Sequence, residues 1–273
     1  EHDDRLRIAT TLSSFAVSPL PAEDAVANST SIAPPAQASE SAVTVLEQRG
    51  DRLSQVGRVT GLGKGERIYA VRFLGDRGYV VTFRQTDPLY TVDLSDPTAP
   101  RVAGELKIPG YSSYLHPVNE TTLIGVGQDA DAQGQVRGLQ VGLFDVTDPA
   151  NPTRTQVWSL PTASSEAEYD HHAFLWWAPS STVVLPVAGT TRLSIDAATG
   201  ATEPVQGTAP MAVALRVTPD AITPTGRITH PGSDAGQIRR SLVVGQSLLT
   251  ISDAGVAIGS LDGATTTHWL KFA

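Results

Sequence analysis

The residues able to do chemistry are few, and their spacing limits what they could do. Six histidines are present, and His116, His171, His172 and His230 could converge on a transition metal, because imidazole suits zinc, copper or nickel. No HExxH or comparable spacing supports a zinc site, so histidines hydrogen-bonded within the fold are the competing reading. Asp129-Ala130-Asp131-Ala132-Gln133-Gly134 opens as a calcium loop does, with acids at the first and third positions and glycine at the sixth. Gln133 and Gln140 then take the fifth and twelfth positions, where further oxygen ligands and a bidentate Glu belong. An extended polar hairpin is the competing reading there, with Asp129 and Asp131 kept as a calcium candidate. There is no GxSxG, and Ser112-Ser113 has no acid–base support nearby in sequence. The absence of cysteine removes thiolate metal sites, iron–sulfur clusters and disulfides. No cofactor is expected.

These side chains need elements to position them. Hydrophobic runs are short, rich in Val, Ile, Leu, Thr and Tyr, and bounded by Gly, Pro, Asp or Asn. No window sustains a helical period, and such punctuated runs read as strands joined by tight turns. Ile68 to Phe73, the turn Gly75-Asp76-Arg77-Gly78, and Tyr79 to Phe83 make one hairpin.

Internal similarity organises the runs. Leu89-Tyr90-Thr91-Val92-Asp93-Leu94-Ser95-Asp96-Pro97 recurs as Val141-Gly142-Leu143-Phe144-Asp145-Val146-Thr147-Asp148-Pro149, at a spacing of 52. Weaker copies of a strand ending in an acid fall at Val43 to Glu47, Leu193 to Asp196 and Ile258 to Asp262. An Asp after a strand accepts hydrogen bonds from backbone N–H groups, and a following Pro fixes φ and ends the pairing. Each acid has room around it for four strands. A four-stranded unit over about 40–50 residues matches a propeller blade, where radial packing buries both faces of each small sheet. The fold class is therefore all-β, a β-propeller of about five blades, with residues 1–273 read as a single partial propeller domain.

Counting strands refines this. The last unit holds all four strands. The first begins at its second strand, Arg5 to Thr11, followed by Val43 to Glu47 and Leu53 to Thr60, so its innermost strand is expected from outside Glu1 to Ala273. The chain then reads as part of a larger ring, or as one that needs a partner segment for closure. Residues 15–41, rich in Ala, Ser and Pro, read as a flexible insertion loop in the first blade, and residues 199 to 210 as a shorter polar connection.

In a propeller the first strand of each blade faces the central channel. Alignment on the acids places Arg72, His116, His171 or His172, and Arg240 at 21, 29, 25 or 24, and 22 residues before Asp93, Asp145, Asp196 and Asp262. A channel ring of these side chains could hold an anion, a carboxylate or the acidic tip of a partner. The competing reading is that they hydrogen-bond carbonyls and water along the wall. On a strand, His171 and His172 would point to opposite faces and could not share one ion without a bulge.

The net charge of −8 argues against nucleic-acid binding, and no stretch approaches the roughly 18 apolar residues of a membrane span. The segments Glu66-Arg67-Ile68-Tyr69-Ala70-Val71-Arg72-Phe73, Asp76-Arg77-Gly78-Tyr79-Val80-Val81-Thr82-Phe83 and Leu143-Phe144-Asp145-Val146 resemble the secreted bacterial and archaeal β-propeller domain family, a distant relative of WD40 propellers. Gly104-Glu105-Leu106-Lys107-Ile108-Pro109-Gly110-Tyr111-Ser112-Ser113-Tyr114-Leu115-His116-Pro117 is the most specific part of that similarity. The resemblance implies an extracytoplasmic, secreted or envelope-associated location, and it carries over no catalytic residues.

The function expected is a non-catalytic extracytoplasmic scaffold for protein–protein interaction or assembly, with a protein partner or a complementary propeller segment. The alternative is a channel-centred metal-binding protein or enzyme using His116, His172, Arg72 and Arg240.

Overall fold

Outside blade 4 each strand pairs with its sequence neighbours, so the chain folds as a succession of small antiparallel sheets. The computed structural model describes residues 1–13, 39–83, 87–131, 133–189, 192–195, 202–205, 208–232, 236–262 and 265–272. Blade 1 has β1 (Arg5–Ser13), β2 (Ser39–Arg49) and β3 (Arg52–Leu62). Blade 2 has β4 (Arg67–Leu74), β5 (Arg77–Phe83), β6 (Asp87–Asp93) and β7 (Arg101–Ile108). Blade 3 has β8 (Tyr111–Asn119), β9 (Thr122–Ala130), β10 (Val136–Asp145) and β11 (Thr153–Pro161). In blade 4, β12 (Ala163–Ser165) and β13 (Leu175–Trp177) both pair with β14 (Thr182–Gly189). The hairpin β15 (Arg192–Ile195) and β16 (Thr202–Val205) follows, and β17 (Met211–Thr218) and β18 (Ala221–Ile228) complete the blade. Blade 5 has β19 (Ile238–Val244), β20 (Ser247–Ser252), β21 (Gly255–Ser260) and β22 (Thr265–Lys271).

Successive side chains of a strand point to opposite faces, and in blades 2, 3 and 4 both faces are buried. Val80 and Val92 pack towards blade 1, whereas Tyr79, Val81 and Leu89 pack towards blade 3 with Leu115, Leu123 and Phe144. Two further hydrophobic clusters join blades 3 and 4, and blades 4 and 5. Each cluster thus bridges two consecutive sheets. Burying one Val, Leu or Phe contributes roughly 1.5–3 kcal/mol, so the stack is held by neighbours rather than by any single sheet.

The repeated acids work as expected at Asp93 and Asp145. Asp93 Oδ1 accepts hydrogen bonds from Ser95 N at 3.0 Å and Ser95 Oγ at 2.7 Å, and Asp145 Oδ1 accepts one from Thr147 N at 2.9 Å. Elsewhere the structure corrects the sequence reading. Leu193 belongs to the inserted hairpin β15–β16, and Asp196 lies outside the described residues. The third strand of blade 4 is β17, where Thr218 Oγ1 accepts a hydrogen bond from Ala221 N at 3.1 Å. In blade 5 the strand ends at Ser260, whose Oγ accepts one from Asp262 N at 3.1 Å, so Ser260 holds the position expected for Asp262. The connection 199 to 210 includes strand β16. Most of the 15–41 insertion lies outside the described residues, but residues 39–41 are already in β2.

Among the described residues, the two end sheets differ from those between them. Blade 1 is a three-stranded sheet in the order β1-β2-β3. On blade 5, Arg240, Ile251, Val256 and Leu270 form one cross-strand row, and Leu242, Leu249, Ile258 and His268 the next. The opposite face of this sheet packs on blade 4. The outward face leaves Leu242 48%, Leu270 57% and Val244 62% exposed.

Candidate functional site

The first strands set the inner wall. β4 packs against β8, β8 against the 3-10 turn Glu166–Glu168, and the 3-10 turn His171–Ala173 against β19. The ring residues therefore fall along one continuous surface, but they divide into two groups with different chemistry.

The first group is Arg72 and His116. His116 Nδ1 lies 3.2 Å from Tyr114 Oη, and its ring sits 4.8 Å from Phe174 and 6.1 Å from Trp176, centroid to centroid. Burial, with the added charge of Arg72, pushes the His116 pKa down to about 4, so the imidazole is neutral at pH 7. Burial raises the Tyr114 phenol, and Arg72 partly offsets this. Arg72 itself is half-buried and makes no hydrogen bond or ion pair among the described residues.

The second group is Asp170, His172 and Arg240. Asp170 caps the turn by accepting hydrogen bonds from His172 N and His172 Nδ1, both at 2.9 Å to its Oδ1. Its other oxygen accepts a hydrogen bond from the Arg240 guanidinium. These contacts, the His172 backbone N–H foremost, hold the Asp170 carboxyl down at about 2. Arg240 is thus spent on a carboxylate and is not a free cation.

His171 and His172 do not alternate across a strand. The inner strand of blade 4 breaks between β12 and β13, and the two rings stack 4.0 Å apart on a 3-10 turn. The strand-based objection to a shared ion therefore does not apply, and the ligand atoms of Asp170, His171 and His172 lie within 4.8 Å of one another. The break is built rather than loose. Ser165 and Glu168 form a capping box, and Gln128 Nε2 from blade 3 donates to both Glu168 oxygens at 2.6 and 2.7 Å.

The remaining candidates are locally satisfied. The two ring nitrogens of His230 lie 2.8 Å from the hydroxyls of Ser252 and Thr250. Asp131 Oδ1 accepts hydrogen bonds from Gln133 N at 3.0 Å and Gln135 N at 2.9 Å, and Arg137 lies 3.6 Å from its carboxylate. This is the polar hairpin anticipated for the acidic run. Asp129 stands in β9 opposite Gly138. Sequence reading missed Asp170, although Asp before His-His is an N-cap signal. It also missed the packing of Tyr69, Phe83 and Tyr111, with ring centroids 4.5 to 5.7 Å apart.

Four-stranded sheets stacked through apolar faces, with their first strands along one inner wall, define a β-propeller. The chain belongs to the Beta propeller domain family, whose profile matches residues 1–263. It is 51% identical over 124 residues to an uncharacterized protein of Methanocaldococcus jannaschii, covering 45% of this chain and 19% of that protein. It is 49% identical over 125 residues to an uncharacterized protein of Archaeoglobus fulgidus, covering 46% of this chain and again 19% of the other. The matched stretch is thus about a fifth of either relative's length. Among solved structures, that of Sqt1 from Chaetomium thermophilum aligns with a TM-score of 0.45 and 12% identity, over 96% of this chain and 68% of that one.

Proposed function

We propose that the chain is a non-catalytic scaffold for protein–protein interaction, acting outside the cytoplasm or in the cell envelope as the family resemblance implies. The observation that carries this reading is the outward face of blade 5, where Leu242, Val244 and Leu270 stand exposed on the same side of the sheet. Uncovered apolar sheet surface of this kind marks an interaction site. The corresponding face of blade 4 is covered by blade 5 itself, so the surface that fits is another blade. A complementary propeller segment would serve both ends, covering blade 5 and adding a fourth strand beside β1.

The test is site-specific photocrosslinking in cells that produce the protein, followed by fractionation. Probes at Val244 and Leu270 should give discrete crosslinked products in the extracytoplasmic or envelope fraction, whereas a probe at Thr147 should give none. Crosslinks confined to Thr147, or a protein found wholly in the cytoplasm, would contradict the reading.

A further inference from the structure

We infer that the inner wall between blades 2, 3 and 4 is a carboxylate-binding site, formed by Arg72 and His116 against Phe174 and Trp176. Among the positively charged ring candidates the two arginines differ. Arg240 is paired with Asp170, whereas Arg72 makes no hydrogen bond or ion pair among the described residues. The charge felt at both His116 and Tyr114 is that of Arg72, with no carboxylate among the described residues offsetting it there. In a chain of net charge −8, this is a local positive field with no counter-ion among the described residues.

The neighbouring groups suit an anion rather than a metal. In the binding state Tyr114 O–H donates to His116 Nδ1, which leaves the ring proton on Nε2 as a donor. A planar guanidinium matches a carboxylate through two parallel N–H bonds, and the imidazole supplies a third. Phe174 and Trp176, both half-buried beside His116, give an apolar wall for the stem that carries the carboxylate. The site is separate from the outward face of blade 5, so either reading can fail without the other.

The test uses calorimetry and histidine-detected NMR on the whole chain at low ionic strength, with a hexaglutamate peptide, acetate and inorganic phosphate as probes. A carboxylate probe should bind at one site per chain and raise the His116 pKa by about 1 or more. Arg72→Gln should weaken binding about 10-fold or more, Arg72→Lys should retain part of it, and Arg58→Gln on the outer strand of blade 1 should leave it unchanged. Much tighter binding of the peptide than of acetate assigns the carboxylate to a partner's acidic segment, and equal binding assigns it to a free small acid. Unmoved His116 titration with either carboxylate, preference for phosphate, or full binding in a folded Arg72→Gln protein would overturn the site.

Discussion

Gly104 in β7 lies directly beneath Pro149 of the next blade: a Cβ built on it would stand 2.5 Å from the Pro149 carbonyl oxygen and equally close to that of Ala150. Gly57 in β3 has the same relation to the Pro97 carbonyl, at 2.1 Å. Each Asp-Pro turn therefore docks on a glycine of the preceding blade, and the turn that ends one blade's third strand also fixes the spacing to its neighbour. Gly104→Ala must push backbone against backbone. Overpacking of this kind costs about 1–3 kcal/mol, and thermal unfolding should fall by about 2–4 °C per kcal/mol in a chain of this size. An unchanged Tm would show that the docking seen at Gly104 is not tight.

Tyr79 is fully buried between blades 2 and 3, and its hydroxyl has no hydrogen-bond partner among the described residues. A buried unsatisfied polar group costs about 1–3 kcal/mol. Tyr79→Phe keeps the ring and removes that cost, so it should raise the denaturant midpoint. A lowered midpoint would mean that the hydroxyl is satisfied in solution.

Folding stability should depend on His116 in mildly acidic solution. Its pKa is about 4 in the fold against about 6.5 in an unfolded chain. The unfolded state therefore takes up a proton that the folded site refuses, and stability falls as pH drops from about 6.5 to about 4. His116→Gln should flatten that slope in urea unfolding measured across the window. His230, also held down by burial, leaves a residual slope of the same sign. An unaltered slope in the variant would contradict the burial of His116.

Asp93 acts at lower pH. Its carboxyl is held at about 2, first by the Ser95 hydroxyl, then by the Ser95 N–H and Arg101. The stabilisation is present above about 4, the ordinary carboxylate value, and is lost as pH falls towards 2. Asp93→Asn should remove the part of acid destabilisation that sets in over this range, read from unfolding midpoints between pH 5 and 2. A variant with the same acid profile as the parent would show that Asp93 carries none of it.

The parts of the fold legible in sequence are those whose turns are chemically specified. The match of Leu89 to Pro97 with Val141 to Pro149 located blades 2 and 3, and counting strands gave the three described strands of blade 1. Blade 4 departs from the sequence reading because Leu193 to Asp196 imitates the strand-acid motif, whereas Leu193 to Ile195 belong to an inserted hairpin. The true third strand ends in Thr218-Pro219-Asp220, where a threonine hydroxyl replaces the aspartate. The capping box of Ser165 and Glu168 was the available signal that the inner strand of blade 4 breaks, and with it the placement of His171 and His172. That Arg240 would be consumed by Asp170 while Arg72 has no partner among the described residues depends on contacts between blades, which spacing along the chain does not encode.

Radial stacking with the two open ends proposed above is tested most directly by amide hydrogen exchange on the isolated chain. Stability in a stacked array comes from neighbours, so β9 and β10 of blade 3 should be the best protected strands. β1, and the outer strand β22 with its uncovered apolar face, should exchange at least about 10-fold faster. Uniform protection across the blades would mean that the ring closes on itself, and would contradict the account.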